Sequence, residues 1–220
     1  MKKVGLKILL LVTAVIFCSN VFAQPFAREF KEFRAQDSTS FPPKNAILFI
    51  GSSSFTIWQD VQSYFPDKTI INRGFGGSNL KDVIFYAEKV IFPYQPKQIV
   101  IYCGENDVAE SDTVTGKMVL ERFKNLFSII RTRIPGVPIL FVSLKPSPAR
   151  WEMKDRMIAS NKLIRKYLRK QKQTKFLSVW KPMLAADGTP VKEIFTKDNL
   201  HMNAKGYAIW QKLMAPLLMN

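Results

Sequence analysis

One histidine, His201, stands in the whole sequence, three positions after Asp198. Imidazole is the side chain that takes up and returns a proton near neutral pH, so base-assisted chemistry here has a single candidate. Asp198 could accept a hydrogen bond from one ring nitrogen, fixing the tautomer and stabilising the imidazolium. The pair alone reads equally well as a satisfied structural histidine beside a loop carboxylate. Ser53, in the string Gly51-Ser52-Ser53-Ser54, offers a hydroxyl between an expected strand and an expected helix. Serines in that position are ordinarily turn formers or caps, and a hydroxyl is a poor nucleophile until a base takes its proton. The string also lacks the second glycine of the G-x-S-x-G elbow. What raises Ser53 is the solitary His201: together they make acyl transfer the chemistry to consider.

Acyl transfer needs donors for a developing oxyanion. In Gly74-Phe75-Gly76-Gly77, Gly77 offers a backbone N–H that no side chain obstructs, and in Gly104-Glu105-Asn106-Asp107, Asn106 offers a carboxamide. Both also fit as ordinary turn residues. The glycines match neither G-x-G-x-x-G nor a P-loop with its lysine, which argues against nucleotide binding. One histidine and one cysteine beyond the N-terminal segment cannot build the usual zinc sets, although an oxygen-rich site stays open.

These residues need a scaffold that brings them together. Short apolar runs at 46–50, 68–72, 98–103, 138–144 and 175–180 read as buried strands. Helical patterns fill the intervals at 56–64, 79–92, 115–134 and 152–171, with a last helix over 203–218. Ahead of them Phe26, Phe30 and Phe33 form a helical stripe, followed by a polar loop over 37–43. The alternation predicts a single α/β sandwich with a mainly parallel sheet covered on both faces. Ligands of such sheets bind at the carboxyl ends of the strands. The segments carrying Ser53, Gly77, Asn106 and Asp198/His201 all fall just past those ends.

The ordered set resembles the SGNH hydrolase superfamily, the GDSL-type lipases and esterases. Ile50-Gly51-Ser52-Ser53 is similar to the serine block, Asn72-Arg73-Gly74-Phe75-Gly76-Gly77-Ser78 to the glycine block, Gly104-Glu105-Asn106-Asp107 to G-x-N-D, and Asp198-x-x-His201 to the final block. The resemblance implies a flavodoxin-like three-layer α/β/α sandwich with a five-stranded parallel sheet. It implies Ser53 as nucleophile, His201 and Asp198 as base and acid, and the Ser53 and Gly77 N–H groups with Asn106 as the oxyanion hole, without metal or organic cofactor. Here Gly51-Ser52-Ser53 replaces the usual Gly-Asp-Ser, as in a G-S-S-S subgroup near platelet-activating-factor acetylhydrolase-like and lysophospholipase-like esterases. The replacement leaves Ser52 and Ser54 as rival candidates for the exposed hydroxyl.

Residues 1–23 read as a cleavable signal peptide. Lys2, Lys3 and Lys7 precede an apolar run over 8–17, and Val21-Phe22-Ala23 ends on a small residue. The run is shorter than the ~20 residues of a spanning helix. Residues 24–220 are then expected as one hydrolase domain, secreted or periplasmic. Cys18 leaves with the signal and Cys103 has no partner, which excludes a disulfide framework. Loss of three lysines from a formal charge of +16 leaves a strongly basic chain, suited to anionic surroundings.

Lys162, Arg165, Lys166, Arg169, Lys170, Lys172 and Lys175 form a basic run. It reads as a solvated helix face or as a contact with an anionic envelope surface; nucleic acid is not expected, since no recognised binding motif is present. Lys145, Arg150 and Trp151 follow the fourth strand and are expected either to line the acyl or alcohol pocket or to form a turn. The expected substrate is a carboxylic ester of acetylated-glycan or lysophospholipid type. The alternatives are an O-acyltransferase with the same residues and an envelope-binding protein whose site has decayed.

Overall fold

A computed structural model describes residues 25–220. The expected signal peptide and its cleavage site lie outside the described residues. The chain runs α1 (Ala27–Thr39), β1 (Ile47–Gly51), α2 (Ser53–Thr56), α3 (Val61–Tyr64), β2 (Ile70–Gly74), α4 (Leu80–Phe85), α5 (Ala87–Val90), β3 (Gln98–Tyr102), α6 (Glu105–Ala109), α7 (Gly116–Arg133), β4 (Ile139–Val142), α8 (Lys154–Leu168), β5 (Thr174–Leu177) and α9 (Ala204–Met214). The five strands form one sheet in the order β2-β1-β3-β4-β5, and every pair is parallel. This is the flavodoxin-like order, in which the chain reverses its direction of travel between β1 and β3 and opens a crevice at their carboxyl ends.

Alternate strand residues feed two cores. Leu48, Ile50, Ile99, Ile101 and Phe141 meet α1, α4, α5, α7 and α8 on one face. Ile47, Phe49, Val100, Leu140 and Val142 meet α2, α3 and α9 on the other, around Trp58 and Trp210. Both faces being covered, β1, β3 and β4 are buried throughout, which explains their unbroken apolar runs. At the sheet edge, β5 turns Lys175 to solvent, a charge that discourages pairing with another strand. Among the described residues no helix is long and apolar enough to cross a membrane.

Three local expectations are corrected. The helix expected over 56–64 is interrupted, α2 ending at Thr56 and α3 starting at Val61, where the Asn72 carboxamide donates to the Phe55 and Trp58 carbonyls. The polar stretch expected as a loop over 37–43 begins helical, because α1 continues to Thr39 and its last turn is anchored where Asp37 pairs with Arg73. The pattern over 79–92 is bent at Tyr86 (φ −97°, ψ 9°). That bend sets the Tyr86 ring 4.3 Å from the ring of Phe30, so packing on α1 overrides a continuous helix.

Candidate active site

Ser53 is the first residue of α2. It follows a turn in which Gly51 has φ 136°, and a Cβ on Gly51 would stand 1.9 Å from the Tyr102 carbonyl oxygen. Only glycine lets the chain leave β1 this close to β3. Ser52 and Ser54 are buried while Ser53 is half-buried. The Ser53 hydroxyl lies 2.9 Å from His201 Nε2. Of the three adjacent serines, Ser53 is the one whose side chain the turn presents to the histidine.

His201 is held by a short hairpin closed by the antiparallel bridge between Phe195 and Met202. At the hairpin's foot Asn203 caps α9, accepting from the Lys205 and Gly206 N–H groups at 2.9 and 3.4 Å. Its Nδ2 donates to the carbonyls of Glu193 and Phe195 at 2.9 and 3.0 Å. The base therefore hangs from the start of a buried-faced helix. Asp198 Oδ2 stands 2.5 Å from His201 Nδ1. Oδ1 accepts from the N–H groups of Leu200 and His201, both at 2.9 Å, and from the Thr196 hydroxyl at 2.7 Å. Burial pushes the Asp198 carboxyl up, but these four bonds outweigh it and hold the group well below the usual carboxylate range. An ionised Asp198 accepts from Nδ1–H, which turns the Nε2 lone pair toward the Ser53 hydroxyl.

The loops after β1, β2 and β3 are bonded to one another. The Gly51 carbonyl accepts from Phe75 N–H at 2.9 Å and from the Ser78 hydroxyl at 3.1 Å. The Ser78 carbonyl accepts from Asn106 Nδ2 at 2.9 Å. Gly77, between them, has φ 81° with open space where a Cβ would be. Among the described residues neither the Ser53 nor the Gly77 N–H is taken by an acceptor. Asp107 is fully buried, accepting from Leu80 N–H at 2.9 Å and pairing with Arg122 at 2.8 Å. Burial pushes its pKa up despite that arginine. Asp107 thus fastens the third loop to the start of α4 and takes no position beside Ser53.

Beneath Asn106 lies a buried charged cluster. Arg150 Nη2 donates to Asn106 Oδ1 at 2.7 Å, and Arg150 Nη1 stands 3.5 Å from Glu105 Oε1. Lys145 Nζ donates to both Glu105 oxygens at 3.1 and 3.0 Å, and the Tyr102 hydroxyl donates to the same carboxylate. Burial works against a charged Glu105, but Lys145 and Arg150 prevail and hold it below its ordinary value. For Lys145 the balance is reversed: burial pushes the ammonium down although Glu105 opposes this. Sequence reasoning offered Lys145 and Arg150 as pocket lining or turn residues; Lys145 is instead 1% exposed and sealed against Glu105. Glu105 occupies the variable position of G-x-N-D, and no spacing rule marks it.

The site is shallow at its triad end, with the His201 and Asp198 side chains 23% and 48% exposed. Trp151 and Trp180 stack on one another, their ring centroids 6.2 Å apart and planes 20° from parallel. The turn carrying Arg150 and Trp151 is tied to the histidine hairpin by Ala149 N–H donating to the Asn199 carbonyl at 3.0 Å.

Residues 49–209, spanning β1 to α9 and every group above, match the sequence profile of the GDSL-like lipase/acylhydrolase family. The chain belongs to that family. GDSL-like members are hydrolases of ester bonds, and this chain is one of them. Its fold is shared with a Streptococcus pneumoniae protein provisionally described as a platelet activating factor (TM-score 0.76, 22% identity, 87% of this chain and 92% of that one). A GDSL-like lipase of Bacteroides thetaiotaomicron is also similar (TM-score 0.71, 20% identity, 86% and 96%). So is an acetyl-xylooligosaccharide esterase of Geobacillus (TM-score 0.63, 14% identity, 81% and 96%). Among curated sequences the chain is 27% identical over 180 residues to an N-acylneuraminate cytidylyltransferase of Escherichia coli, covering 81% of this chain but 41% of that protein.

Proposed function

We propose that the protein is a secreted or periplasmic serine esterase that removes a short acyl group from a bulky polar carrier of the acetylated-glycan type. The observation that carries the mechanism is the Ser53–His201–Asp198 line, with hydrogen-bonding distances of 2.9 and 2.5 Å. His201 Nε2 takes the hydroxyl proton as Ser53 Oγ attacks the ester carbonyl. The Ser53 and Gly77 N–H groups and Asn106 Nδ2 receive the oxyanion, where one donor is worth roughly 10²–10³ in rate. His201 then protonates the leaving alcohol and activates water against the acyl-enzyme. This chain's residues supply every proton transfer in that cycle.

A triad whose histidine and aspartate remain 23% and 48% exposed admits an ester on a large molecule. Trp151, on the turn tied to the histidine hairpin by Ala149 N–H, suits a sugar ring, since aromatic faces meet apolar ring surfaces while tolerating polar edges. Purified protein lacking residues 1–23 is to be tested on acetylated oligosaccharides, lysophospholipids and p-nitrophenyl acetate, beside Ser53→Ala and His201→Ala. Acetate release lost in both variants supports the mechanism, and its survival in both sinks it. Preference for lysophospholipid overturns the carrier, and acyl product on a sugar acceptor makes the enzyme a transferase.

A groove of about 560 Å³ on α8 favours contact with an anionic envelope surface as well. Lys162, Arg165, Lys166 and Arg169 rim it, over Phe176 and Trp180. Four cations above an apolar floor match the headgroup layer of an anionic membrane, with Ile158, 44% exposed, at the same groove. Retention on phosphatidylglycerol vesicles that disappears at high salt supports the contact; retention unchanged by salt removes it.

A further inference from the structure

We propose that Arg150 is a positioning residue that orients the Asn106 carboxamide for the reaction, and that Glu105 and Lys145 hold Arg150 in place to do so. This rests on the reading of Asn106 as an oxyanion donor. A carboxamide can be turned over at little cost, exchanging its acceptor and donor ends, so something must choose between them. The choice here is made from both sides. The Arg150 guanidinium has donors only and lies 2.7 Å from Oδ1. The Ser78 carbonyl is an acceptor only and lies 2.9 Å from Nδ2. With Oδ1 and one Nδ2 hydrogen committed, the second hydrogen has one direction left in the amide plane. A charged donor on Oδ1 also draws electron density from the amide, which makes Nδ2–H the stronger donor.

Arg150 would be a poor clamp if its own guanidinium could swing. Its Nη1 is 3.5 Å from Glu105 Oε1, and its side chain is 17% exposed. Glu105 is in turn fixed by Lys145 on both oxygens and by Tyr102, with its side chain 4% exposed. Glu105 and Asn106 are adjacent on the first turn of α6, so one arginine reads both and locks the turn to the loop after β4. The two charges of Lys145 and Arg150 against one of Glu105 leave a net positive charge beneath Asn106. That sign favours a developing oxyanion above it.

The test is a double-mutant cycle read in kcat and KM on p-nitrophenyl acetate. Asn106→Ala is expected to lower kcat roughly 10²–10³-fold. Arg150→Ala is expected to lower it about 10–100-fold with KM within a factor of about two, the size seen for groups that orient a ligand. In the Asn106→Ala background, Arg150→Ala should then cost nothing further. Ethylguanidine should restore kcat in Arg150→Ala and not in Asn106→Ala. Should Arg150→Ala fail to fold, Arg150→Lys keeps a cation beside Glu105 but cannot reach both groups, and is expected to lose kcat at an unchanged unfolding midpoint. Equal losses from Arg150→Ala in both backgrounds, or a loss confined to KM, would overturn the proposal while leaving Asn106 its role. An active Asn106→Ala would remove the oxyanion reading itself, and the proposal with it.

Discussion

Ser53 Oγ and His201 Nε2 are 2.9 Å apart although 148 positions separate them in the chain. Nothing local brings them together: one is delivered by the turn after β1, the other by a hairpin at the foot of α9. The contact depends on α9 packing on the sheet through Tyr207, Trp210 and Met214, and on Tyr207 donating to the Ser54 carbonyl at 2.8 Å. That bond ties α9 to α2, the helix that begins at Ser53.

Replacing Ser53 or His201 by alanine should lower kcat by roughly 10⁴-fold or more, and the pair should cost little beyond either alone, because they act as a unit. Ser52→Ala and Ser54→Ala should stay within about tenfold of the parent, since their side chains are buried away from the histidine. Esterase kinetics on the four variants check this, and a dead Ser54→Ala beside an active Ser53→Ala would reassign the nucleophile.

Asp198 fixes a pH dependence. Its folded pKa lies below its unfolded value, so its contribution to stability is present above the unfolded value of ~3.9 and is lost as pH falls through the folded one. Asp198→Asn should therefore melt lower than the parent at neutral pH, with the gap narrowing below about pH 4. Melting curves from neutral to strongly acid pH read this, and a gap that widened on acidification would contradict it.

Glu105→Gln should destabilise the fold by about 3 kcal/mol, because it strips the partner from Lys145, a cation with nowhere to go. Replacing both by apolar residues, Glu105→Leu with Lys145→Met, should recover much of that loss while kcat stays low. Denaturant titration and kinetics together separate the two effects. A double variant as active as the parent would mean that the cluster serves packing alone.

Gly51→Ala and Gly77→Ala should differ sharply. At Gly51 a Cβ meets the Tyr102 carbonyl at 1.9 Å and φ is 136°, so the variant should lose roughly 4 kcal/mol or fail to fold. At Gly77 space is open and only the positive φ is at issue, a strain of about 1–2 kcal/mol. Unfolding midpoints of the two variants decide it.

The alternation of apolar runs and amphipathic stretches set the five strands and the parallel sheet, and the burial of β1, β3 and β4, because a strand covered on both faces leaves an unbroken apolar signature; the edge strands β2 and β5, expected buried as well, are partly exposed. The blocks carrying Ser53, Gly77, Asn106, Asp198 and His201 could also be placed at the strand ends from their order alone. Which of three adjacent serines meets the histidine could not, since that depends on the side chain a turn at φ 136° presents. Nor could the roles of Glu105, Lys145 and Arg150 be read from spacing. Buried charges are recognised by their partners, and these partners come from β3, α6 and the loop after β4, brought into contact only by the assembled sheet. The isolated Asp198–His201 pair admits two equal readings in the sequence; what tertiary packing alone decides is that Ser53 Oγ stands 2.9 Å from the other ring nitrogen.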